Sequence, residues 1–145
     1  MLKKILFPVD VEELQFAREA LEYVVKLARV DGASVHVVSV LPGFTMPMVA
    51  SYFPKDAFDK ARKALEKTLR DFVAREFPED LEVTCAIREG TPWKEIIRER
   101  MDSGCDLIVI GAHNRKRISD VMLGSVANKV VENARVSVMV VKPRI

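Results

Sequence analysis

Between Gly104 and Ser125 the chain reads GCDLIVIGAHNRKRISDVMLGS, where residue types and spacing come nearest to a chemical site. An unbroken apolar run from Cys105 to Ile110 ends at Gly111, a polar and basic loop follows, and Gly124-Ser125 opens a helical pattern. A buried strand, a loop with a glycine at each end and a helix N-terminus can offer backbone amides and a positive helix end to a phosphate. Arg115, Lys116 and Arg117 add positive charge to that loop, although a run this short is usually just a solvated loop.

Other chemistries find little support. No GxGxxG follows the first apolar run and no GxxxxGK[ST] occurs, which speaks against a nicotinamide or flavin Rossmann domain and excludes a P-loop NTPase. HExxH, GxSxG and Cys/His pairings are missing too, so hydrolysis has no evident carrier and no catalytic residue is assigned. Cys85 and Cys105 share no CxxC spacing and no metal-ligand company. His36 falls in the middle of a strand pattern, where a satisfied structural role is expected. His113 falls in the loop, as a polar loop group or a ligand contact.

The elements that must position this stretch alternate regularly. Lys4–Val9 (KILFPV) reads as a central strand, and Asp10 with Glu13 resembles a capping box opening a helix. Leu14, Ala17, Leu21, Val24 and Ala28 recur at helical spacing until Asp31-Gly32, and Ser34–Leu41 reads as a second strand. Pro42–Pro54, with three prolines and one glycine, predicts an irregular loop. Lys55–Phe77 predicts a long amphipathic helix with Phe58, Ala61, Leu65, Leu69, Phe72 and Val73 on one face, and with the pairs Asp59–Lys63 and Glu66–Arg70 on the other. Leu81–Arg88 is a third strand. Thr91 and Pro92 then read as N-cap and first residue of a helix that ends near Gly104, with Trp93 packing in its first turn. Val126, Val130, Val131 and Ala134 continue the last helix, and Ser137–Val141 is the last strand.

Alternating strands and helices with nearly continuous apolar strands predict an α/β fold, a single domain over 1–145 with a five-stranded parallel sheet covered on both faces. Two strand orders compete, 3-2-1-4-5 and 2-1-3-4-5. The first puts the crevice at the ends of strands one and four, at Pro8-Val9-Asp10 and Gly111, and suits the phosphate-type loop better. With 23 basic and 21 acidic residues the net charge is +2, too small to argue for nucleic acid or a membrane surface. No apolar run approaches the ~18 residues of a transmembrane span, and Pro8 and Asp10 interrupt any signal-peptide pattern. A reducing cytoplasm is the expected compartment.

These residues resemble the universal stress protein family over essentially the whole chain. The resemblance rests on PVD (Pro8, Val9, Asp10), on VIG (Val109, Ile110, Gly111), on LGSVA (Leu123–Ala127) and on the terminal VVK (Val140, Val141, Lys142). The nucleotide-binding branch carries G-x2-G-x9-G-[ST], and here the frame is Gly111-x2-Asn114-x9-Gly124-Ser125. The resemblance implies a Rossmann-like 3-2-1-4-5 sheet and a homodimer formed through the last strand. It implies ATP, or AMP or ADP, as the cofactor, with Mg2+ or Mn2+ accompanying it. The implied binding set is Pro8, Val9, Asp10, Val40, Ile110, Gly111, Asn114, Gly124, Ser125 and Val126, with Asp10 and the Val40 backbone at the adenosine. Gly111, Gly124, Ser125 and Val126 would surround the phosphates.

Three positions depart from the pattern. Asn114 replaces the middle glycine, at a backbone cost of about 1 kcal/mol. Ala127 stands where another hydroxyl is frequent, and Glu12 where many members have Ser. The implied function is a nucleotide-dependent stress-response regulator, and the alternative is a dimeric interaction module that binds no nucleotide.

Overall fold

The computed structural model describes residues 1–42, 55–112 and 123–144. Five parallel strands lie in the order β3-β2-β1-β4-β5: β1 (Lys4–Pro8), β2 (Ser34–Pro42), β3 (Val83–Gly90), β4 (Leu107–Gly111) and β5 (Ser137–Val141). Of the two competing orders this is 3-2-1-4-5. The helices are α1 (Leu14–Asp31), α2 (Lys55–Glu76), α3 (Pro92–Ser103) and α4 (Ser125–Asn133).

Strand alternation sends neighbouring residues to opposite faces, and both faces here are apolar. Ile5 and Phe7 of β1 join Val35 and Val37 in one core, where Val24 and Ala28 of α1 and Leu69 and Phe72 of α2 close over them. Leu6 joins Val38, Ile108 and Ile110 in a second core, beneath Ile96 of α3 and Ala127 and Val130 of α4. Phe77, just past α2, packs edge-on against Phe7 and Phe72, with ring centroids 6.4 and 6.5 Å apart. Each such fully buried side chain contributes about 1.5–3 kcal/mol. The cores account for the continuous apolar strands, since a sheet covered on both sides has no polar face.

Helix ends follow local chemistry. α1 stops at Gly32 and α3 at Gly104, both left-handed, with φ of 68° and 73°. Their N–H groups return to Ala28 O and Arg100 O, closing the last turn. At the start of α1 the capping expectation is only partly met. A 3-10 turn, Val11–Glu13, intervenes, and Asp10 Oδ1 accepts from Glu12 N at 3.0 Å. Thr91 occupies the N-cap of α3 with Pro92 behind it, but its side chain makes no capping bond.

Some expected details shift. β3 runs Val83–Gly90 because Leu81 N donates to Pro78 O in a turn before it, at 3.2 Å, and because pairing with β2 continues to Pro42↔Gly90. On α2, Ala61 is exposed rather than part of the inward face. Glu66 pairs with Arg62 at 3.6 Å where Arg70 was expected. Trp93 is partly buried against the second core, with Lys94 Nζ 5.6 Å from its ring centroid. Cys85 packs against the first core and Cys105 belongs to the second; both are free. Residues 43–54 of the proline-bearing loop lie outside the described residues.

Candidate functional site

The chain runs outward from β1 to β2 and β3, then returns to the other side of β1 for β4 and β5. The order therefore reverses between β1 and β4, and the crevice past their carboxyl ends is where such sheets take ligands. β1 pairs with β4 at Ile5↔Leu107 and Leu6↔Ile108. The same register carried forward sets Pro8 beside Ile110 and Val9 beside Gly111.

On the β1 side, Pro8 and Val9 are buried, and Val9 N donates to Val38 O at 2.9 Å. Val38 thus turns its carbonyl towards β1. Val40, two residues on, turns the same backbone edge towards the space beyond the end of β1. Asp10 and Glu12 follow, both exposed.

On the β4 side, Ala112 N donates to Val141 O at 2.9 Å, and Gly124 N donates to Ala112 O at 3.2 Å. These two bonds bring the start of α4 against the end of β4, so Gly124 meets Ala112, the residue after Gly111, although 12 residues separate Gly111 from Gly124. Gly124 is the N-cap of α4 and has no side chain to cap with; Asn128 N→Gly124 O, at 3.0 Å, opens the helical ladder. The first amides of α4, on Ser125, Val126 and Ala127, therefore receive no side-chain cap from Gly124. The helix end carries roughly half a positive charge. Ser125 is exposed and Val126 partly buried. Ala127 is only 2% exposed, so its methyl fills the second core, and a hydroxyl at that position would be packed away from solvent.

A Cβ built on Gly111 would find its nearest described neighbour, Phe16 O, 4.0 Å away. Packing among the described residues does not demand glycine there, whereas close approach of a ligand to the backbone would. Beside Gly111 on the α1 side, a cleft of about 40 Å³ is lined by Gln15, Phe16, Glu19, Ala112, Val141 and Pro143. It is far below the roughly 300 Å³ of a small-molecule pocket. The tail closes it, Arg144 N donating to Glu19 Oε2 at 2.9 Å and Arg144 Nη2 to Glu22 Oε2 at 2.8 Å. Among the described residues no group of three or more His, Cys, Asp or Glu could hold a metal ion. Asn114, His113 and the basic triplet Arg115–Arg117 lie outside the described residues.

The sequence profile of the universal stress protein family matches residues 1–142. The chain belongs to that family. Universal stress protein G of Escherichia coli O157:H7 is 30% identical over 145 residues, covering 98% of this chain and 100% of that protein. Among solved structures, protein MJ0577 of Methanocaldococcus jannaschii superposes with a TM-score of 0.79 at 25% identity, over 100% of this chain and 99% of that one. A universal stress protein from Archaeoglobus fulgidus, solved in complex with dAMP, gives a TM-score of 0.64 at 22% identity, covering 97% and 98%. No helix among the described residues is long and apolar enough to cross a membrane.

The sequence reading of this universal stress protein missed a second polar assembly, beneath α3. His36 of β2 is not merely satisfied: Nδ1 lies 2.6 Å from Thr84 Oγ1 and Nε2 lies 2.8 Å from Glu99 Oε1. An ionised carboxylate only accepts, so Nε2 carries the hydrogen of that bond. Arg88 of β3 donates to Glu95 Oε1 at 3.0 Å, to Glu99 Oε2 at 2.7 Å and to Asp102 Oδ2 at 3.0 Å. Arg98 closes on the other oxygen of Glu95. Burial alone would push the Glu99 carboxyl up, but its hydrogen bonds from Arg88 and His36 outweigh this and hold it below the ordinary range. The bond to Glu99 raises the Arg88 guanidinium further above its already high value. The signal available beforehand was weak. Glu95, Glu99 and Asp102 are spaced by four and three residues, which puts them on one helix face.

Proposed function

We propose that this universal stress protein binds an adenine nucleotide, ATP or its AMP or ADP relative, in the crevice past β1 and β4. There it acts as a homodimeric, cytoplasmic stress-response regulator. The observation that carries the reading is the N-terminus of α4, whose N-cap Gly124 makes no side-chain capping bond and is fastened by the Gly124–Ala112 bond next to Gly111. Amides so arranged suit a phosphate, and glycine at Gly111 and Gly124 leaves room for one. Asp10 and the Val40 backbone, with Pro8 and Val9 as the floor, face the adenosine. Ile110, Gly111, Asn114, Gly124, Ser125 and Val126 face the phosphates. A relative solved with dAMP supports an adenine ligand. A Mg2+ or Mn2+ ion would be held chiefly by the nucleotide's own phosphates. Hydrolysis is at most slow, since the sequence shows no evident general base for it.

The dimer is proposed through β5. Among the described residues that strand is paired only with β4, and it is almost wholly apolar, Ser137-Val138-Met139-Val140-Val141. At the opposite edge, Arg62 reaches from α2 to Ile87 O, at 3.4 Å, and to Glu89 Oε1, at 2.8 Å. A charged side chain seated on a strand carbonyl discourages pairing there, while β5 has no such guard among the described residues.

Exposed Glu12 beside Asp10 favours the second reading, a dimeric interaction module without nucleotide, because a carboxylate at the mouth repels phosphate. Calorimetric titration with ATP, after analysis of the purified protein for bound nucleotide, separates the two. Binding is expected, Gly124→Val should abolish it, and Asn114→Gly should leave it equal or tighter. No heat at millimolar ATP would overturn the first reading. Sedimentation of Val138→Lys, expected to be monomeric beside a dimeric parent, tests the β5 interface.

A further inference from the structure

α3 differs from the other helices in what holds it. Its three buried residues are Glu95, Ile96 and Glu99, so two of the three inward groups are carboxylates. Their side chains are 8% and 11% exposed, and the partners that neutralise them come from α3 itself and from two strands. β2 contributes His36, braced from behind by Thr84 of β3; β3 contributes Arg88; α3 adds Arg98, while its exposed Asp102 is a third carboxylate on Arg88. α4, also packed beside α3, brings no charged side chain to the cluster, its Lys129 and Glu132 being exposed. Positive-φ glycines bracket the helix, Gly90 at 140° and Gly104 at 73°, so both connections already sit where backbone turns freely.

We propose that α3 is an acid-released unit of the fold. When Glu99 takes up a proton the helix leaves β2 and β3, while α1, β1 and β4 stay folded. The physical cause is the loss of the acceptor that Arg88 and His36 share. A protonated Glu99 can no longer receive both bonds as an anion, and Arg88 is left part-buried with weaker company. The apolar remainder of the contact is small, Ile96 with partly buried Trp93 and Ile97. α1 by contrast faces the sheet with buried groups that do not titrate, Ala20, Leu21, Val24 and Ala28. Release uncovers an apolar strip around Ile96 and Val38. The inference does not depend on nucleotide binding.

The sign follows from Glu99 being held below the ordinary carboxylate range. Its contribution is complete above about pH 4.3 and is lost as pH falls through its lowered folded value. Hydrogen–deuterium exchange of the full chain from pH 7 to pH 3, corrected for intrinsic rates, tests it. Amides 92–103 should lose protection first, with those of 14–31 still protected, and a hydrophobic dye should bind in the same interval. Loss of protection in both helices in one step would overturn the proposal, as would α3 staying protected throughout. At pH 7, Glu99→Gln should speed exchange in 92–103 by about tenfold or more, through the loss of charge-assisted hydrogen bonds, and leave 14–31 unchanged. If that variant does not fold, the pH series on the unaltered chain decides alone.

Discussion

α1 and α3 cover opposite faces of one sheet and are attached by opposite means. α1 turns Ala20, Leu21, Val24 and Ala28 to the strands, a surface with no titratable group. α3 turns Glu95 and Glu99, and meets Arg88 and His36. Apolar attachment is non-directional and has no titrating group to lose. Ionic attachment specifies register, because each oxygen has an assigned donor, but it holds only while every partner keeps its charge. One domain therefore contains a permanent cover and a conditional one.

The strongest test of that contrast is Arg88→Met. It leaves Glu95 and Glu99 buried without their shared cation, and urea unfolding at pH 7 should show a loss of about 3–5 kcal/mol. The loss should shrink near pH 3, where neutral carboxylates no longer need the guanidinium. Leu21→Ala, on the apolar side, should cost about 3 kcal/mol, with the same value at pH 7 and at pH 4. A pH-dependent Leu21→Ala effect would break the comparison. Gly90→Ala comes next, at about 2 kcal/mol, because φ is 140° and the new Cβ would lie 3.0 Å from Glu95 Cγ. Gly32→Ala, with nothing within 4 Å, should suffer only the left-handed backbone penalty. Asp102→Asn is the smallest, under about 1 kcal/mol, since that carboxylate is 68% exposed and solvent screens its bond to Arg88. A large effect there would show that the exposed rim, rather than the buried pair, fastens α3.

The parts of the fold legible in the chain are those written in local patterns. Apolar runs located β1, β2, β4 and β5 to within a residue or two, and the periodicity of Leu21, Val24 and Ala28 found the face of α1. The phosphate-type frame was legible too, as a strand end, a spacing and a helix start, and the structure does join Gly111 to Gly124 through Ala112. Where expectations slipped, a competing interaction explains it. β3 was read as ending at Arg88, yet its ladder with β2 continues to Gly90, with Arg88 met by carboxylates of α3 and Glu89 by Arg62 of α2. Asp10 was expected to cap an α-helix, but its oxygen satisfies Glu12 N in a tighter turn that delays α1 to Leu14.

The charge cluster was not legible, and the reason is distance along the chain. His36 has no partner pattern nearby because Thr84 stands 48 residues away and Glu99 63. By itself the sequence determined the alternation of strands and helices, the continuous apolar cores, the glycine-bounded loop and the family, because each is carried by neighbours or by fixed spacing. The order that sets β1 between β2 and β4, left open by the strand patterns and implied by the family resemblance, is the one observed. Only the tertiary structure decided that Gly124 rests on Ala112 and that α3 is held by charge. Each of those depends on which distant segments come to lie side by side, and a side chain's identity does not say which partner across the sheet will meet it.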